Sequence, residues 1–150
     1  MPFLDWNLDF SMGVDALDAH RIAYIDILNE FYVEVMTSPP GSDSSRLLRK
    51  LNQQTQAYHS VEEQILKSIR YAGLAQHCKQ HREFALKIRD FQSRYARGDC
   101  AALVQMPRFL LEWLYRHMLQ EDLLYRRSLT ALPQIGGSKT GGSRVQNRPS

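Results

Sequence analysis

Five histidines occur in the chain: His20, His59, His77, His81 and His117. Most stand in spacings suited to metal chemistry. His59 and Glu63 are four apart, His77 and His81 are four apart, and Asp122 follows His117 by five. Residues four apart on an α-helix differ by only about 40° around its axis, so each such pair points one way. A lone histidine on an apolar face is ordinarily a hydrogen-bonded core residue. Here every histidine falls in a predicted helix, and at least three lie on apolar faces. Without a cation, the core would carry several imidazoles and carboxylates lacking partners, each costing roughly 1–3 kcal/mol or more. Metal ligation removes that cost.

Five imidazoles and two carboxylates are too many ligands for one ion. They suit two adjacent ions with the carboxylates bridging. Imidazole with carboxylate fits iron, copper, nickel or zinc, and the lack of a cysteine ligand cluster argues against structural zinc. If both ions are six-coordinate, the seven residues and one bridging oxygen leave a single open position. That is a place for a small molecule, not a closed structural site.

The elements that must position these residues are helices. Residues 1–14 contain Phe3, Leu4, Trp6 and Phe10, an arm too apolar to hang free. A first helix is expected over 18–37, ended by Ser38-Pro39-Pro40-Gly41-Ser42, since proline cannot continue a helix. A second is expected over 44–71 and a third over 74–97, stopped by Gly98. The fourth ends near 132–133, and its start is open because Pro107 fits either a first helical residue or a kink. Leu74, His77, His81, Phe84, Ile88, Phe91 and Tyr95 alternate at spacings of three and four, the seam of a bundle helix. No segment alternates with period two. The expected fold is all-α, an up-down-up-down four-helix bundle over 1–133 with an N-terminal arm, followed by a disordered C-terminal tail or linker at 134–150.

The combined pattern resembles the hemerythrin family, in its bacterial form. It comprises Trp6, Gly13-Val14 and His20, then His59-x-x-Glu62-Glu63, then His77-x-x-x-His81-x-x-Phe84, then Trp113-Leu114-x-x-His117-x-x-x-x-Asp122. The resemblance covers about residues 3–127. It implies that His77, His81 and His117 hold one iron and His20 and His59 the other. Glu63 and Asp122 would bridge the irons, together with an oxo or hydroxo group. O2 would bind the second iron in its open position, as a hydroperoxide. The resemblance also selects Asp122 over Glu121, and Glu63 over Glu62. Two departures stand out. The family usually has an acid three residues before the first-helix histidine, whereas Asp18 is only two before His20. The apolar face of Tyr24, Leu28, Phe31, Tyr32 and Val35 is centred about 70° from His20, with Arg21 nearer the centre, so a local distortion of the helix near His20 is expected. The family also favours Phe after the second-helix histidine, where this chain has Ser60.

The expected function is reversible O2 binding for storage, delivery or sensing, not catalysis. A ferritin-like di-iron oxidase or peroxidase would carry two Glu-x-x-His motifs, and no histidine here follows a glutamate by three. A sensing module of a longer signalling protein, with 134–150 as linker, is a further alternative. Of the basic residues, Lys139, Arg144 and Arg148 lie in the tail, and without them the body has as many acids as bases. The net charge of +3 therefore implies no nucleic-acid groove. No apolar run is long enough to span a membrane. Cys78 and Cys100, about 30 Å apart along a mostly helical segment, read as free thiols in a reducing compartment. The expectation is a cytoplasmic monomer whose partners are O2 and an oxygen-requiring enzyme or signalling protein.

Overall fold

The computed structural model describes residues 2–39 and 42–130. Its helices are α1 (Asp15–Thr37), α2 (Ser45–Ser68), α3 (Leu74–Ala96), α4 (Ala101–Trp113) and α5 (Leu123–Thr130), with a π-helical stretch, Leu114–Glu121, between α4 and α5. There is no strand among the described residues. α1 packs on α2 and α4, and α3 packs on the same two, so α4, the π stretch and α5 together form the fourth member of an up-down-up-down bundle. None of the described helices is long and apolar enough to cross a membrane.

Local chemistry explains the boundaries. α1 stops at Ser38-Pro39. α3 stops at Gly98, whose φ of 92° is left-handed and whose N–H reaches the Tyr95 carbonyl. α4 begins at Ala101, which settles the fourth helix's start ahead of Pro107. That proline lies inside the helix. The bundle is filled by Leu17, Tyr24, Leu28 and Phe31 of α1, Leu51 and Leu66 of α2, Phe84, Ile88 and Phe91 of α3, and Met106, Leu110, Leu114 and Met118 of the fourth member.

The N-terminal arm is part of this core. Phe10 and Met12 are buried, Phe3 stacks on Tyr32, and Leu4 exchanges two backbone bonds with the Asn29 side chain. Asp18 ties the arm to α1, accepting from Ser11 Oγ at 2.6 Å and Met12 N at 2.7 Å. The distortion expected near His20 is absent, because α1 is α-helical without a break from Asp15 to Thr37. The irregularity lies instead in the fourth helix, where Asp122 N bonds the His117 carbonyl at 3.0 Å across five residues. The tail expected at 134–150, and the domain boundary at 133, fall outside the described residues.

Candidate metal centre

Three elements converge on one buried point. α3 supplies His77 and His81, α2 supplies Glu62, and the π stretch supplies His117, all nearly inaccessible to solvent. One ligand atom from each of these four lies within 4.8 Å of every other. Glu62 Oε2 is 3.1 Å from His77 Nε2 and 2.9 Å from His81 Nε2, and His81 Nε2 is 3.2 Å from His117 Nε2. His81 Nδ1 meets Glu63 Oε1 at 2.7 Å, which pairs the ring's outer nitrogen with a carboxylate. Donation of Nδ1–H to Glu63 leaves the Nε2 lone pair facing the cluster, the usual arrangement behind a metal-bound histidine. Burial, then the neighbouring His77 and His81, pushes His117 down to about 2, so its imidazole is neutral at ordinary pH.

The carboxylates are held from behind. Burial acts to raise the Glu62 carboxyl, but hydrogen bonds with His77 and His81 outweigh it and keep the group well below its ordinary range. Tyr125 donates its hydroxyl to Glu62 Oε1, which leaves Oε2 to face the imidazoles. Asp122 is fully buried, with Oδ2 on Arg21 Nη2 at 2.6 Å. Its Oδ1 stands 3.2 Å from His117 Nε2 and 3.5 Å from His77 Nε2 but has no hydrogen-bond partner. An orphaned carboxylate oxygen beside two inward-facing imidazole nitrogens is costly without a cation and satisfied by one. This donor set fits one metal ion.

The π stretch decides which acid joins it. At five residues after His117, Asp122 would be turned away on an α-helix, and Glu121 would be the better placed. The wider turn brings Asp122 back beneath His117 and leaves Glu121 partly exposed.

The remaining expected ligands stand elsewhere. Glu63 is behind His81, on its Nδ1. His59 stacks on His81 with centroids 3.8 Å apart and planes 3° apart, beside Phe84 and Trp113. It is not among the four clustered ligands. Burial, then His81, pushes its imidazole down to about 3. His20 is half-buried, its Nδ1 3.2 Å from Gln54 Nε2 and its ring beside Tyr58. The structure thus brings His77, His81 and His117 of the expected set together with Glu62, sets Asp122 Oδ1 beside His117 and His77, and leaves His20, His59 and Glu63 outside that four-residue cluster. A cleft of about 480 Å³ reaches His59, Glu63 and His81 from solvent, with exposed Ser60 in its wall.

From the sequence, Glu62 is set aside for Glu63 and Arg21 is placed near the apolar face without a role, while Tyr58 and Tyr125 are not singled out. A signal for Glu62 and Tyr58 was present. Leu48, Leu51, Thr55, Tyr58, Glu62 and Leu66 follow the three-four rhythm of a buried seam, with His59 and Glu63 each one step off it.

A helical bundle with a buried cluster of three histidines and a glutamate compatible with metal binding defines a bundle metalloprotein class. The Hemerythrin HHE cation binding domain family matches residues 12–127, and the chain belongs to the hemerythrin family. It is 26% identical over 129 residues to a bacteriohemerythrin of Clostridium acetobutylicum, covering 80% of this chain and 96% of that protein. It is also 26% identical to a myohemerythrin of Sipunculus nudus, covering 83% and 92%. A crystal structure of a hemerythrin variant superposes with a TM-score of 0.78 at 23% identity, covering 87% of this chain and 100% of that one, a likeness of fold.

Proposed function

We propose that this chain is a non-haem iron protein that binds O2 reversibly at the buried cluster, in storage, delivery or sensing, without turning over an organic substrate. The observation that carries this reading is the convergence of three imidazoles and Glu62 on one point, with Asp122 Oδ1 orphaned beside them. Neutral nitrogen donors with few carboxylates suit a ferrous ion that must survive between binding events. The names of the relatives, bacteriohemerythrin and myohemerythrin, support iron and O2 over other metals and ligands. The cleft beside the His59–His81 stack is a route for a small ligand. The same reading has the protein work as a cytoplasmic monomer that serves an oxygen-requiring enzyme or a signalling partner.

His20, His59 and Glu63, expected among the ligands of a pair of ions, stand outside the four-residue cluster. The test is to load the protein with ferrous iron anaerobically, add O2, then remove it under argon while recording the visible spectrum. A new absorption that appears with O2 and fades on its removal is expected. Permanent oxidation in the first cycle, or retention of zinc alone by protein grown with ample iron, would overturn the reading.

A further inference from the structure

A second ion beside the first would need ligands, space and a tolerant electrostatic field. The side of the cluster facing α1 offers none of these. It is filled by Arg21, which is completely buried. Its guanidinium gives Nη2 to Asp122 Oδ2 at 2.6 Å and to the Met118 carbonyl at 2.9 Å, Nη1 to the Phe10 carbonyl at 2.8 Å, and Nε to the Tyr58 hydroxyl at 3.0 Å. Every contact is on oxygen, so each guanidinium nitrogen has a partner where it stands. A guanidinium stays protonated and offers no lone pair, so it cannot ligate a metal. It does bring a positive charge to Asp122, the carboxylate with one oxygen on each side.

Tyr58 completes the block. It stands four residues before Glu62 on the buried face of α2, and its hydroxyl is taken by Arg21. The two histidines expected to serve a second ion are immediate neighbours of these residues: His20 precedes Arg21, and His59 follows Tyr58. One step along a helix turns a side chain by about 100°. In both helices the histidine has turned off the face, and a residue that does not suit ferrous iron has taken it.

We propose that the centre holds one metal ion, ligated by His77, His81, His117, Glu62 and Asp122 Oδ1, and that the Arg21–Tyr58 pair occupies the place of a second. Arg21 supplies the balancing charge to Asp122, and a single ferrous ion held there would have one electron in all to share with a bound ligand. This inference rests on the reading that the cluster holds iron.

The test is to reconstitute the intact protein with excess ferrous iron anaerobically, remove the unbound metal, and count iron per folded chain. The ferric form is then examined by electron paramagnetic resonance. One iron per chain, with a high-spin ferric signal of one centre per iron, is expected. Two irons per chain in a spin-coupled, silent pair would overturn the inference and leave the iron reading intact. No iron retained by folded protein would overturn the iron reading itself. The double variant Arg21→His, Tyr58→His is expected to raise the count towards two and to suppress the signal. A folded double variant still holding one ion would overturn the role given to Arg21 and Tyr58. If it fails to fold, the count and spin state of the unaltered protein decide.

Discussion

Glu62 and Glu63 are adjacent acids with opposite tasks. Glu62 is buried and presents one oxygen to two imidazoles, while Glu63 is partly exposed and meets the outer nitrogen of His81 and the Cys78 thiol. Removing the first takes away a ligand; removing the second loosens a ligand's orientation. Glu62→Gln is therefore expected to cost more than a hundredfold in metal affinity, and Glu63→Gln about 10–100-fold, the usual effect of an outer partner. Competition against a chromophoric chelator measures both. The opposite ranking would make Glu63 the ligand. In the same assay His20→Ala should leave affinity unchanged, since His20 bonds Gln54 and lies outside the cluster.

Among the elements, the π stretch carries the strongest constraint. It accommodates one residue more between His117 and Asp122 than an α-helix would, while Tyr125 and Leu129 beyond it remain buried. Deleting the exposed Gln120 would shorten the spacing to four, which a plain α-helix supports. That deletion is expected to keep metal content while the π hydrogen bonding is lost. Adding an alanine after Gln120 would turn Asp122 and Tyr125 by about 100°. This insertion should abolish the Arg21–Asp122 pair and most metal binding with little change in helical circular dichroism. Equal metal content in both variants would show that the register of this stretch does not matter.

For the whole molecule, the N-terminal arm links stability to the centre. Met12 is fully buried, and the Phe10 carbonyl holds Arg21, which in turn holds Asp122. Met12→Ala should cost about 2–5 kcal/mol by denaturant titration, the range for emptying a core site. Phe3→Ala should cost much less, because Phe3 is 42% exposed and keeps only its stack on Tyr32. Similar losses for the two would mean that the arm acts as one loosely bound piece.

The sequence by itself determined the helical bundle and the segments that build it, because proline, glycine and seam spacing are local signals. It also marked His77 and His81 as one inward-facing pair, since four residues on one helix fix their shared direction. What it left open was phase. Glu62 against Glu63, and His20 against Arg21, differ by one step along a helix. Only packing against the other helices decides which neighbour turns inward. The five-residue step from His117 to Asp122 likewise needs a wider turn that local propensity does not announce. Arg21 and Asp122 are 101 positions apart, and their pairing exists only once α1 lies against the fourth helix. An acid three residues ahead points from Asp18 to Arg21, but that a guanidinium stands there among carboxylate, phenol and carbonyl oxygens is a fact of the tertiary structure alone.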